Sequence, residues 1–340
     1  MKKNSLCILV AVLLLLSSCS VFAQQRQPET LNSYPKETAP SQIIKTENRW
    51  VMLNNSYENP DYTISVGEDF DNTNSVYSTK NVSIWYIDAN ENGIVWCEKS
   101  TEFYSYKTYA FNTQTVETIS QIPVGDDFQP QNVGIYLGSV YFCFIDYEQQ
   151  EVRAMVYDLE SKETSIALKA PFKEENQPYS INLEDEFLSF VCSEYVKVID
   201  LKNDKAVFES ALPQTVQHVF TVSYDSINDT CALYYTDGKS EDIGILKEGE
   251  DNISSVFTFA TNHYAYHDTI QCSDGHIYWI DQANVSGNIP DHYTLVDYNY
   301  LENKPTETDK TFEFYLDKGV LYSLRFNKSR NYTDIELCKY

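Results

Sequence analysis

Basic residues are scarce in this chain. Twenty-five Lys and Arg face 50 Asp and Glu, a formal net charge of −25. Nucleic-acid phosphates demand clustered Lys and Arg, so DNA and RNA are excluded as partners, and anionic lipid headgroups should be repelled. Basic peptides, cations and neutral glycans stay open as partners. Catalytic signatures are missing too. No Ser sits inside Gly-x-Ser-x-Gly, and no glycine-rich loop is present to cradle a phosphate. The sialidase Asp-box, Ser-x-Asp-x-Gly-x-x-Trp, is absent, because Ser273-Asp-Gly-His-Ile-Tyr-Trp279 has the wrong spacing. No CxxC pair supports a zinc site. His263 and His267 lie four apart among alternating aromatics; on a strand that spacing spans about 13 Å, too far for one ion. Long helical periodicity is also lacking.

What is present is a repeat. Val82–Ile122 reads as four short strands joined by turns, with β-branched and aromatic residues running through Val82–Ile87 and Ile94–Cys97. Asn92-Gly93 separates those two runs, a hairpin signal resting on tolerance of positive φ. Lys107–Phe111 and Val116–Ile122 complete the unit. Diluted copies follow, with second strands at Gly138–Cys143, Phe187–Cys192, Cys231–Asp237, His276–Asp281 and Val320–Phe326. Their turns recur about every 45 residues, the length of one four-stranded propeller blade. One period before Gly93 falls Asn48, where Arg49–Leu53, Tyr62–Val66 and Ser75–Ser78 form a weaker first copy. The 27 Tyr and 17 Phe supply flat side chains suited to packing sheet on sheet. The expected fold is an all-β propeller of four-stranded blades over residues 41–340, seven by phase, with six as the alternative.

The N-terminus reads as an export signal over residues 1–23: Lys2 and Lys3 precede the apolar run Leu6–Leu16, too short to span a bilayer permanently. Two cleavage sites compete. Leu16-Ser-Ser-Cys19 resembles a bacterial lipobox that would leave Cys19 lipidated, and Val21-Phe-Ala23 suits ordinary signal peptidase. Residues 24–40 are polar with three prolines and read as a linker. Removing Lys2 and Lys3 takes the net charge from −25 to −27. Six cysteines remain: Cys97, Cys143, Cys192, Cys231, Cys272 and Cys338. The first three occupy matching second-strand positions and read as a repeated small core residue, further apart than a disulfide's roughly 4.4–6.8 Å Cα separation. Bridges among the six remain the alternative.

Two constellations carry candidate chemistry. Asp88-x-Asn90-x-Asn92-Gly93 resembles the opening of a calcium loop, but Trp96 and Lys99 stand where later ligands belong, so calcium is weakly supported and no other cofactor is indicated. The second strands tend to end in an acid: Glu98, Asp146, Glu194, Asp237 and Asp281. With Trp96 and Trp279 as aromatic shelves, these predict an acidic ring on one face that would hold a cation, an amine or a sugar. The alternative is solvated turn residues.

Gly275-His-Ile-Tyr-Trp-Ile-Asp281 resembles the Tyr-Trp-Thr-Asp strand of low-density-lipoprotein-receptor-type propellers, with Ile280 in place of Thr. Residues 80–340 more generally resemble exported bacterial propellers of the TolB-like kind. That resemblance implies six blades and a ligand- or protein-binding scaffold rather than an enzyme. The expected function is an exported binding scaffold at the cell envelope or surface, secreted, periplasmic or lipid-anchored through Cys19. Its rivals are a carbohydrate-active hydrolase or lyase on the same fold and a structural subunit of an envelope complex.

Overall fold

The computed structural model describes residues 28–35, 39–56, 59–70, 72–125, 127–171, 179–192, 195–265, 269–283, 293–326 and 334–340. Cys19, Glu194 and His267 lie outside the described residues. Every regular element among those described is a strand, and among the described residues no helix is long and apolar enough to cross a membrane. The first strand, β1 (Glu29–Pro35), finds its partner only at the end of the chain.

Five antiparallel sheets then follow in sequence. Blade 1 holds β2 (Gln42–Lys45), β3 (Trp50–Ser56), β4 (Asn59–Gly67) and β5 (Thr73–Ser78). Blade 2 holds β6 (Ser83–Ala89), β7 (Gly93–Lys99), β8 (Phe103–Ala110) and β9 (Thr115–Pro123). Blade 3 is β10 (Phe128–Tyr136), β11 (Ser139–Asp146), β12 (Glu151–Asp158) and β13 (Thr164–Pro171). In blade 4 come β14 (Tyr179–Glu184), β15 (Phe187–Cys192), β16 (Tyr195–Asp200) and β17 (Lys205–Ala211), and in blade 5 β18 (His218–Asp225), β19 (Thr230–Thr236), β20 (Glu241–Lys247) and β21 (Ser254–Thr258).

The last two blades share a strand. Both β22 (His263–Ala265) and β23 (Gln271–Ser273) pair with β24 (His276–Ala283), which is followed by β25 (Tyr293–Asn299) and the long β26 (Lys304–Asp317). Up to Lys310, β26 is the outer strand of blade 6; from Thr311 it is the inner strand of blade 7. Blade 7 continues through β27 (Val320–Phe326) and β28 (Asp334–Lys339) and ends on β1. The propeller therefore has seven blades, the number given by the repeat phase and not the six of the resembled families. Part of the segment read as a linker, Glu29–Pro35, is instead the strand that closes the ring. Its sequence, ETLNSYP, shows no apolar alternation because it is an edge strand held by ladder hydrogen bonds to β28.

Seven apolar clusters fill the seven interfaces between neighbouring blades. Ile44, Val51, Ile84 and Trp96 join blades 1 and 2, for example, and Ile43, Met52, Leu324 and Leu337 join blade 7 back to blade 1. The second strands lie between two neighbours, so β7, β11, β15 and β19 are buried almost continuously. All six cysteines from Cys97 to Cys338 are buried thiols with no disulfide among them, most of them within these clusters.

The outermost strands hide a second repeat. In blades 1 to 5 the pairing of third with fourth strand skips one residue: Val76, Ile119, Ala167, Val207 and Val256 respectively. Such a bulge puts two consecutive side chains on one face. Val76 with Tyr77, Val207 with Phe208, and Val256 with Phe257 accordingly pack into the same cluster. Gly93 is also required for a different reason than expected. Neither it nor Asn92 has positive φ, but a Cβ at Gly93 would meet the Tyr109 carbonyl oxygen at 2.4 Å.

Candidate functional site

Successive strands of a blade alternate in direction. The hairpins joining first to second and third to fourth strands therefore share one face of the ring, here called the hairpin face. The second-to-third connections lie on the opposite face. The innermost strands belong to separate sheets, so their edge groups need partners other than a backbone ladder.

Side chains supply them. Asp88 Oδ2 accepts from the Ile135 N–H at 2.9 Å. Asn132 Nδ2 donates to Asn182 Oδ1 at 3.0 Å, and Asn182 Nδ2 donates to the Val222 carbonyl at 3.1 Å. The Ser223 hydroxyl donates to Glu184 Oε2 at 2.7 Å and accepts the Cys272 N–H at 2.8 Å. Gln271 Oε1 accepts the Leu316 N–H at 3.0 Å, and the Tyr315 hydroxyl reaches the Lys45 carbonyl at 3.5 Å. A chain of polar bridges thus links blade 2 round to blade 1.

Several members are carboxylic acids near the hairpin-face ends of their strands. Burial pushes Asp88 up to about 7, with Asp185 adding repulsion against the opposing pull of the Ile135 N–H. Burial likewise raises Glu184 to about 8, although Ser223 and Asn182 donate to it. Asp185 and Asp317 are raised by burial and by neighbouring acids, with Lys318 opposing. Asp88, Asp317 and Asp185 together add to the burial that holds the Tyr315 phenol protonated. Acids from blades 2, 4 and 7 therefore act on one hydroxyl at one end of the axis. Higher up β26, Glu313 is raised by burial to about 8. A group of this kind can bind a cation, which favours the ionised carboxylates, or exchange a proton near neutral pH.

The residues expected to form an acidic ring are disposed differently. Trp96 and Trp279 are fully buried and present no ring to a ligand, because second strands lie between blades. The Trp96 indole N–H donates to Glu98 Oε1 at 2.8 Å, and Glu98 Oε2 pairs with Lys107 Nζ at 2.8 Å. Lys107 also donates to the Tyr77 hydroxyl of blade 1, so buried Glu98 belongs to a staple between blades. Asp146 is buried too, accepting the Gln149 N–H at 2.9 Å and pairing with Arg153 at 3.2 Å. Asp237 is part-exposed and caps its own turn through the Lys239 and Ser240 N–H groups, which hold its carboxyl below the usual range. Asp281, also part-exposed, faces His263 Nδ1 at 3.1 Å. Asp88, Asn90 and Asn92 of the calcium-like loop turn to blade 3: Asn90 donates to the carbonyls of Ile135 and Leu137, and Asn92 to that of Leu137.

Sequence reasoning missed Glu184, Asp225 and Asp317 and took Asp88 only as part of a calcium-like loop, yet the four share a signal: each stands last or next to last in an innermost strand.

No protein-family model matches the chain, and no curated protein matches it in sequence. Solved structures do match. The β-propeller domain of the Trilobed protease from Pyrococcus furiosus is 10% identical with a TM-score of 0.53, over 85% of this chain and 91% of that one. BamB from Moraxella catarrhalis, 8% identical with a TM-score of 0.49, is matched over 92% of this chain and 100% of that one. TolB from Acinetobacter baumannii is 11% identical with a TM-score of 0.48, over 81% of this chain and 64% of that one. This chain is a β-propeller, and at these identities the likeness is one of fold. The Pyrococcus domain has an open velcro topology, whereas here β1 closes the ring on β28.

Proposed function

We propose that the chain is an exported binding scaffold that takes a cationic ligand at the hairpin-face end of its axis. The observation that carries this is the placement of Asp88 in β6, Asp185 between β14 and β15, and Asp317 at the end of β26, all on the hairpin face of three blades; together with burial they hold the Tyr315 phenol protonated. Like charges held together in a partly desolvated site favour a bound cation. Residues 1–23 act as the export signal. Cleavage before Cys19 would add a lipid anchor and cleavage after Ala23 would not, and N-terminal sequencing of the exported protein distinguishes them.

The test uses hexalysine as a probe of charge alone, titrated calorimetrically at low and high salt. Wild type binds, and binding weakens with salt as the Debye length shrinks from about 30 Å at 0.01 M to about 3 Å at 1 M. Asp185→Asn with Asp317→Asn weakens binding at least tenfold. Loss of binding in Asp237→Asn with Asp281→Asn instead would move the site to the opposite face. Undiminished binding in both double variants removes the proposal.

A second reading is glycan cleavage, with Asp88 and Glu184, near the hairpin-face ends of β6 and β14 and raised by burial, as its candidate acids. Release of reducing ends from a glycan panel, abolished by Asp88→Asn, would establish it.

A further inference from the structure

Three large apolar side chains stand far out of the described surface: Ile227 is 67% exposed, Leu301 64% and Leu137 62%. All three lie in hairpins of the hairpin face: Leu137 between β10 and β11, Ile227 between β18 and β19, Leu301 between β25 and β26. Single exposed aliphatics need no explanation. Ile227 and Leu301 need one, because their hairpins come from different blades and are tied to one carboxylate.

That carboxylate is Asp225, only 2% exposed. Its Oδ1 accepts the N–H groups of Ile227 at 3.0 Å and Asn228 at 3.2 Å. Its Oδ2 accepts the Gly275 N–H at 2.7 Å, the Tyr300 hydroxyl at 2.9 Å and Asn228 Nδ2 at 2.9 Å. Ile227, the Gly275 turn and the residue before Leu301 are thereby fixed to one anion. The Leu301 side chain lies on that turn: a Cβ at Gly275 would meet Leu301 Cδ1 at 2.5 Å, and Asn228 Nδ2 lies 3.8 Å from the same point. Ordering these loops beforehand lowers the entropic cost of binding against them.

The surroundings select the partner by charge. First-to-second hairpins on this face carry Glu47, Glu91, Asp185, Glu186, Asp229 and Asp274 against Arg49 and Lys318. Arg49 lies over the Phe111 ring and Lys318 pairs with Glu47. An anionic lipid surface or a second copy of this chain, itself at −25, would be repelled. We infer that Ile227 and Leu301, fixed by Asp225, form a docking platform for a basic polypeptide segment that places an apolar side chain on them. The inference rests on the reading that this face takes cations.

The test compares two peptides of equal charge on the full chain, hexalysine and six Lys alternating with six Leu. Wild type binds the Lys–Leu peptide at least tenfold more tightly. Ile227→Ser with Leu301→Ser removes that preference and leaves hexalysine affinity and the melting temperature unchanged. Asp185→Asn with Asp317→Asn weakens both peptides and keeps their ratio. A Lys–Leu preference abolished by the Ser pair, with no hexalysine binding at all, would sustain the platform and end the cation reading. A preference that survives the Ser pair, or no binding of either peptide, overturns the platform.

Discussion

Replacing Asp225 by Asn keeps the shape and removes the charge that five donors share. Hydrogen bonds to an ionised group contribute about 1.5–3 kcal/mol each relative to solvent, and a buried donor left without a partner costs about 1–3 kcal/mol. Asn offers one acceptor oxygen and turns an NH2 group toward either the Ile227 and Asn228 N–H groups or the Gly275 N–H and Tyr300 hydroxyl. At least one buried donor then faces another. The expected destabilisation is about 2–3 kcal/mol, read as a fall in melting temperature of roughly 3–4 °C for a chain of this size, at an unfolding entropy of about 2.1 cal/mol/K per residue. The pH profile gives an independent check. Burial alone would raise the Asp225 carboxyl, but donors from Gly275, Asn228 and Tyr300 outweigh it and hold the carboxyl below its ordinary value. Its stabilisation is therefore present above the unfolded pKa of about 3.9 and is lost as pH falls through the lower folded value. Wild type should lose stability there, and Asp225→Asn should lose less. Tyr300→Phe should couple to Asp225→Asn by about 1 kcal/mol in a double-mutant cycle. A variant melting within 1 °C of wild type, with no coupling to Tyr300, would refute the hub.

Glu313, Glu184 and Asp88 act in the opposite sense, since burial raises them to about 8, 8 and 7. Each contributes stability in full below its unfolded pKa of about 4 and loses it as pH rises toward the folded value. The melting temperature should therefore fall between about pH 5 and 8, and Glu313→Gln should flatten that slope; an unchanged slope rejects its burial. Lys107→Met leaves Glu98 buried beside Trp96 without its cation and should cost about 3 kcal/mol, measured by urea denaturation; a cost below about 0.5 kcal/mol would show the staple to be inert. Cys143→Ser should destabilise by roughly 1–3 kcal/mol, because a hydroxyl replaces a thiol packed among Ile145, Ala154 and Phe190. Thiol titration of denatured, unreduced protein should find Cys97, Cys143, Cys192, Cys231, Cys272 and Cys338 free; three intact bridges would contradict the cluster assignments.

The blade count was legible because second strands are buried on both faces and so repeat as apolar runs from Ile94–Cys97 to Val320–Phe326. Outer strands were harder to place. Bulges at Val76, Ile119, Ala167, Val207 and Val256 interrupt the two-residue period, so two adjacent apolar residues face one core. Pairs such as Val76-Tyr77 and Val256-Phe257 were visible signs of this. The closing strand β1 left no trace in hydropathy, since ladder pairing with β28 sets its place. For the predicted acidic ring, depth was what the sequence did not reveal. Glu98 and Asp146 stand at strand ends as expected, but second strands run between blades, where an acid needs an internal cation such as Lys107 or Arg153. Acids at the ends of innermost strands look alike in sequence, yet they surround the axis.

The most direct test follows the carboxyl carbons of Asp and Glu by NMR across pH. Asp88 should titrate near 7 and Glu184 near 8, and Asp185→Asn should lower the Asp88 value by removing a neighbouring negative charge. Saturating hexalysine should lower Asp88 and Glu184 together. Titration of every carboxyl at ordinary values of about 3.5–4.5, unmoved by Asp185→Asn or by the peptide, would contradict the convergence of these acids on one end of the axis.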